Sequence, residues 1–439
     1  MEGTLAFRGI RYARADRFGP AEVLPFQGAD PESPRGPVPP QNPSRFNVLL
    51  GPPAALDQDE DCQFLSVFTS GLSGRRPVMI WFHGGAFITG GGELPWYDGT
   101  LLAAEQDVVV VSVTARLGAL GYLFPEGEGA AERPSPATTD QMAAIEWVHR
   151  NIESFGGDPD DITLFGQSAG GFSLEVMLRW GLGPYVRAAI IQSGFIGQPS
   201  LSHDPASVTR QAADFVALLG KDPRSSSTAE LLSAQVEFAR RAGTVEVWGP
   251  VRPSEEKRIE VSLLAGWTRH DTFPYVAMEN GVFEPYPRHL ETFSEEVRRR
   301  NHHEIAVGTF EVLDEVVNGG QPAWLYEFDW EIPASGWGAP HCIELPFLLG
   351  DRHAWRAAPM LRGADWQRVE QQSRHLRAVW ASFARHRRPG DEWIQYDPVT
   401  RTANSITDLF GTPARPHCGA PSQAEVGTDV AGHSKQEKV

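Results

Sequence analysis

Asp161-Ile162-Thr163-Leu164-Phe165-Gly166-Gln167-Ser168-Ala169-Gly170 decides how this chain of 439 residues is read. Asp161 to Phe165 is a short β-type run. Beyond Gly170 and Gly171, residues 172–178 read as a helix. Between the two lies G-x-S-x-G. Strand, tight turn and helix in that order are what a nucleophile elbow requires. The flanking glycines let the backbone take a strained turn that lifts the Ser168 hydroxyl clear of the sheet. The pentapeptide alone is weak evidence, because glycine and serine abound in ordinary turns. Its weight comes from the strand before it and from the motifs around it.

Outward from the elbow, residues 78–82 and 108–113 are apolar runs of the kind found in central strands covered on both faces. Residues 140–155 read as an amphipathic helix with Met142, Ile145, Val148 and Ile152 at helical spacing. It stops at Gly156-Gly157-Asp158-Pro159. Residues 186–194, 261–266 and 324–328 read as further strands, and 205–245 as helical. Residues 369–386 form a long helix with Leu376, Val379, Trp380 and Phe383 on one side. Residues 31–56, rich in Pro, Gly and Asn, read as an irregular loop. Strands alternating with helices place the chain in the α/β class, with a predominantly parallel sheet. Residues 1–410 are expected to form one domain, large enough for a substantial core. Residues 411–439 turn polar, lose periodicity and read as a disordered tail.

Composition narrows the partners. Hydrophobic content of 41% and charged content of 22% fit a globular protein. A net charge of −17 leaves no broad basic surface for nucleic acid or an anionic membrane. Arg298-Arg299-Arg300 follows Glu295-Glu296 and reads as a solvated helix face. No basic segment followed by an apolar stretch opens the chain, and the run from Val108 to Val111 is far too short to span a bilayer. Cys62, Cys342 and Cys418 are odd in number and lack metal-type spacing, which points to a reducing, cytoplasmic setting.

A serine hydroxyl needs a base, an acid to orient that base, and donors for a developing oxyanion. His83-Gly84-Gly85-Ala86-Phe87 directly follows the strand at 78–82. Glycines there let backbone N–H groups approach a substrate closely. The expected donors are the amides of Gly85, Ala86 and Ala169.

With these motifs in place, the chain resembles the type-B carboxylesterases. These are the α/β-hydrolase family of carboxylesterases, p-nitrobenzyl esterases and cholinesterases. The stretches that carry the likeness include Phe7-Arg8-Gly9-Ile10-Arg11-Tyr12-Ala13, Glu60-Asp61-Cys62, residues 78–87 and Arg116-Leu117-Gly118-Ala119-Leu120-Gly121-Tyr122. They continue with residues 151–159, 165–171 and 338–347. The resemblance spans roughly residues 7–400. It implies the α/β-hydrolase fold, a central twisted sheet with helices on both faces. It also implies ester hydrolysis through an acyl-enzyme, without metal or cofactor.

Thirteen histidines are present, and sequence physics does not choose among them. The resemblance does. The family's catalytic histidine sits in Gly-x-x-His-x-x-Glu-Leu-Pro-Phe, and His341 occupies that place. The family's acid stands five residues after a glycine that ends a buried strand. Gly266 is such a glycine, which makes Asp271 the expected acid. Glu311, three residues after Gly308, is its rival.

Four departures stand out. Gln167 precedes Ser168 where relatives commonly carry Glu, which removes a charge that would favour cationic substrates. Residues 1–61 hold no cysteine to pair with Cys62, which is expected to be a buried thiol. The same loop lacks the tryptophan that would bind a quaternary ammonium by cation–π contact. The stretch between Gly249-Pro250-Val251 and the strand at 261 is short. The expected activity is hydrolysis of uncharged, moderately bulky aliphatic or aryl carboxylic esters, with the oligomeric state open. The alternatives are a biosynthetic acyltransferase or cyclase using the same acyl-enzyme, and a non-catalytic binding module on the fold.

Overall fold

The computed structural model describes residues 3–125, 133–197, 205–244 and 247–410. Its strands are β1 (Leu5–Arg11), β2 (Ala13–Ala15), β3 (Ala21–Val23), β4 (Phe64–Thr69), β5 (Arg76–Phe82), β6 (Val109–Val113), β7 (Gly157–Gln167), β8 (Val186–Gln192), β9 (Ser262–Thr268), β10 (Ala323–Phe328) and β11 (Asn404–Ser405). Nine of them form one sheet in the order β1-β4-β6-β5-β7-β8-β9-β10-β11. β2 and β3 pair as a separate hairpin. β1 and β6 each run antiparallel to β4, and the pairings from β6 through to β11 are parallel.

The apolar runs explain why this sheet is covered on both sides. Side chains alternate across a strand. In β5, Met79 and Trp81 therefore enter one core, while Val78, Ile80 and Phe82 enter the other. The helix Trp366–His386 closes the first core with Leu376, Val379, Trp380 and Phe383. The helices Pro136–Asn151, Ala169–Trp180 and Val307–Asn318 close the second with Ile145, Leu174 and Leu313. Each fully buried side chain of this size contributes roughly 1.5–3 kcal/mol.

Boundaries differ from the sequence reading where capping chemistry decides them. The helix expected from 140 begins at Pro136, because Ser135 caps it by accepting from Thr138 N–H and proline suits the first turn. The helical region 205–245 is two helices, Pro205–Leu219 and Thr228–Ala242. Gly220 and the turn at Pro223–Ser225 part them, and a Ser227–Glu230 capping box starts the second. Residues 31–56 are irregular apart from a bridge at Val38 and one helical turn, Asn47–Leu50. The arginines at 298–300 lie on the helix Ser294–Asn301, where Arg299 pairs with Glu296 and Arg300 with Glu279 and Glu304. The segment from 411, with Cys418, lies outside the described residues. Among the described residues, no helix is long and apolar enough to cross a membrane.

The carboxyl ends of β5, β7, β8 and β9 lie side by side, and the loops leaving them hold the candidate residues. In open α/β sheets this end of the strands is where ligands bind.

Candidate active site

Ser168 stands between the last residue of β7 and the first of the helix Ala169–Trp180. Its backbone is at φ 56°, ψ −126°. For a residue other than glycine such a conformation costs on the order of 1–3 kcal/mol and persists only where the surroundings enforce it. Here Ser168 N–H donates to Gln192 O at 2.8 Å, and Ser168 O accepts from Phe172 N–H at 2.9 Å. The end of β5 passes so close that a Cβ on Gly170 would lie 2.1 Å from Phe82 O. That contact is the physical reason for glycine two places after the serine.

The loop after β5 is fixed by Gly85, at φ +119°. Its carbonyl accepts from Ile88 N–H at 3.1 Å, Thr89 N–H at 3.0 Å and the Thr89 hydroxyl at 3.1 Å. A Cβ on Gly85 would meet Thr89 O at 2.0 Å. With that carbonyl turned inward, the N–H groups of Gly85 and Ala86 donate to nothing among the described residues. Ala169 N–H, in the first turn of its helix, is likewise without an acceptor and lies at the positive end of the helix dipole.

Asp271 and His341 meet because their loops are stitched together one residue earlier. His270 and Pro340 form a parallel bridge, with His270 N–H donating to Ala339 O at 2.9 Å and Ala339 N–H donating to His270 Nδ1 at 3.0 Å. The next residue on each loop then faces the other. His341 Nδ1 lies 2.5 Å from Asp271 Oδ1, with both side chains buried. The other carboxylate oxygen, Oδ2, accepts from Ser193 Oγ at 2.5 Å and Thr268 N–H at 2.9 Å. Burial alone pushes the imidazole of His341 down, but Cys342, Tyr275 and the bonded Asp271 push it up by more, so the net direction is well up. The rival acid, Glu311, lies exposed on the helix Val307–Asn318 and makes no hydrogen bond to His341.

The bond to Asp271 assigns the proton of His341 to Nδ1 and leaves the lone pair on Nε2. That lone pair is aimed at the amide of Gln167, whose Nε2 donates to it at 3.1 Å. Ser168 and His341 line the same cavity of about 400 Å³, but among the described residues no hydrogen bond joins them. Catalytic hydrogen bonds are often long or absent without substrate.

Several neighbours were not marked by the sequence reading. Ser193 and Thr268 hold the carboxylate of Asp271. The sequence reading placed Ser193 only near the end of the 186–194 strand, which stops at Gln192 in the structure. Phe46, Phe195 and Tyr275 surround His341, with ring centroids 5.8, 5.7 and 5.7 Å from the imidazole. Beneath them Glu344 is fully buried. Its Oε1 accepts from Gln192 at 3.4 Å, and its Oε2 has no partner. Burial, followed by the nearby Asp271, pushes its carboxyl up to about 7. Cys62 is a buried free thiol, as expected. No cluster of His, Cys, Asp and Glu among the described residues could hold a metal ion.

The chain is similar to several known proteins. The carboxylesterase family model matches residues 2–255. A probable N-octanoylanthranilate hydrolase of Rhodococcus erythropolis is 34% identical over 92% of this chain and 94% of its own length. The para-nitrobenzyl esterase of Bacillus subtilis (strain 168) is 30% identical over 78% of each chain. Among solved structures, a PNB esterase superposes with a TM-score of 0.78 at 26% identity, covering 92% of both chains. The strained serine elbow, the glycine loop beside it and these likenesses agree: the chain belongs to the carboxylesterase family and is a carboxylic-ester hydrolase.

Proposed function

We propose that the reaction runs through an acyl-enzyme on Ser168. Ser168 Oγ attacks the ester carbonyl while His341 Nε2 takes its proton. Asp271 keeps the other imidazole proton on Nδ1 and stabilises the imidazolium. The oxyanion is received by the amides of Gly85, Ala86 and Ala169. As the intermediate collapses, His341 returns the proton to the leaving alcohol. It then draws a proton from water, which attacks the acyl carbon, and passes that proton to Ser168 Oγ as the acyl–Oγ bond breaks and the acid is released. The 2.5 Å contact between His341 Nδ1 and Asp271 Oδ1 carries this reading, because it leaves Nε2 free of its proton in the cavity that Ser168 lines. The Gln167 amide must give up Nε2 when Ser168 engages it.

The cavity is bounded by Leu50, Leu56, Leu94 and Trp96 as well as by amides, which suits an ester with an apolar acyl group. A second reading has one observation behind it. The relative aligned over 92% of this chain is named as a hydrolase of an N-acylated arylamine. The same machinery would then cleave an amide, with His341 protonating the leaving nitrogen.

Turnover of p-nitrophenyl butyrate and of N-octanoylaniline by wild type and Ser168→Ala tests both readings. Ester hydrolysis lost in the variant supports the acyl-enzyme, and efficient aniline release favours the second substrate class. Full activity in Ser168→Ala would sink the scheme. Transfer of the acyl group to added alcohol in preference to water would favour an acyltransferase.

A further inference from the structure

The cleft carries a charge pattern that the composition does not supply by default. The chain has a net charge of −17, yet the cavity around Ser168 is lined by no Asp, Glu, Lys or Arg among the described residues. Apart from His341, its larger polar side chains are mostly amides, including Gln41, Asn42, Asn47 and Gln167. An adjoining lobe of about 470 Å³ opens on the same Gly85 and Ala86. It contributes Arg45 and Arg240 and, among the described residues, no carboxylate. Arg240 is paired with Glu237 outside the lobe. Among the described residues, what marks the cleft is therefore the lack of a lining carboxylate.

Gln167 stands where a charge would matter most. It precedes the nucleophile, lines the cavity, is 1% exposed, and lies 3.1 Å from the His341 nitrogen that must take the proton. A carboxylate at this place would have two effects. It would repel an anionic substrate inside a poorly solvated cavity, where charges act strongly. It would also raise the proton affinity of His341, so that a larger share of the imidazole is protonated at a given pH. An amide does neither, and it can donate an N–H to an oxyanion or carboxylate.

We propose that Gln167 is a specificity-determining residue that opens this cleft to esters or amides bearing a carboxylate of their own. The proposal rests on the acyl-enzyme reading above. Its test compares kcat/KM for three aryl acetates of similar size: 4-acetoxybenzoate (anionic), methyl 4-acetoxybenzoate (neutral) and 4-(trimethylammonio)phenyl acetate (cationic). Wild type is expected to hydrolyse the anion about as well as the neutral ester, and the cation more slowly. Gln167→Glu is expected to lower the anion-to-neutral ratio by about tenfold or more and to raise the cation-to-neutral ratio. The same variant should move the acidic limb of kcat/KM to higher pH. Gln167→Asn adds no charge and should keep the wild-type ratios. Wild type that hydrolyses the neutral ester but rejects the anion, or a ratio unmoved in Gln167→Glu, overturns this proposal alone. No turnover of any ester together with no covalent adduct on Ser168 overturns the acyl-enzyme reading and this proposal with it.

Discussion

Replacing Asp271 with asparagine keeps the shape of the proposed acid and reverses the proton logic of the proposed triad. Thr268 N–H donates to Oδ2 at 2.9 Å, so the asparagine carbonyl is held at that position. The opposite orientation would set two donors against each other in a buried place, at a cost of about 1–3 kcal/mol. With the carbonyl at Oδ2, the new NH₂ group occupies the Oδ1 position, 2.5 Å from His341 Nδ1 in the native geometry. A donor there demands a lone pair on Nδ1, so the imidazole proton moves to Nε2. In that tautomer Nε2 cannot take the proton of Ser168. The equivalent change in a serine protease lowers kcat by about 10⁴, or about 5 kcal/mol of transition-state stabilisation. A loss of about 10³–10⁴ in kcat for p-nitrophenyl butyrate, with KM changed little, is expected for Asp271→Asn. Circular dichroism and melting temperature should stay close to wild type. Glu311→Gln, on an exposed helix face, should leave kcat within about twofold, as surface changes away from a site usually do. Activity within tenfold of wild type in Asp271→Asn would refute the tautomer argument, and a collapse in Glu311→Gln would move the acid elsewhere.

Further expectations follow from the same contacts. Gly85→Ala would drive its Cβ into Thr89 O, 2.0 Å away, and displace the Gly85 and Ala86 amides. A fall of about 10²–10³ in kcat should appear with little change in KM, measured on purified folded protein. Because the proton affinity of His341 is raised well above 6.5, kcat/KM should fall as pH is lowered through an apparent pKa above that value. A pH profile with its acidic limb below 6.5 would contradict that upward shift. Glu344, raised to about 7 in the fold against 4.5 as its ordinary value, keeps its proton in the native state longer than in the unfolded chain. The native state therefore binds more protons between those values, and stability is lost as pH rises through them. Glu344→Gln should gain up to about 3 kcal/mol over wild type near pH 8 and little near pH 4, read by urea denaturation at both pH values.

Much of this architecture was legible because it rests on local rules. The apolar runs of β5 and β6 announce a sheet covered on both faces, and strand, G-x-S-x-G and helix announce the elbow. What stayed hidden depends on long-range pairing. β1 carries mixed burial at the sheet edge, and the apolar run of the buried β4 is broken by Ser66, so no continuous apolar run marks either. Asp271 and His341 are 70 residues apart, and the His270–Pro340 bridge that aligns them has no sequence signature. Ser193 and Thr268 gain their roles only because β8 and β9 are neighbours in the sheet. Gln167 was visible as a missing charge, while its hydrogen bond to the His341 imidazole depends on the fold.

Covalent labelling tests the central claim most directly. Wild type and Ser168→Ala would be treated with a diethyl phosphate ester inhibitor, weighed intact and digested for peptide mapping. One diethylphosphoryl group per chain on Ser168, formed in step with loss of esterase activity and absent from Ser168→Ala, is the predicted result. Activity that survives full exposure to the inhibitor, or an adduct mapped to another residue and retained in Ser168→Ala, would contradict it.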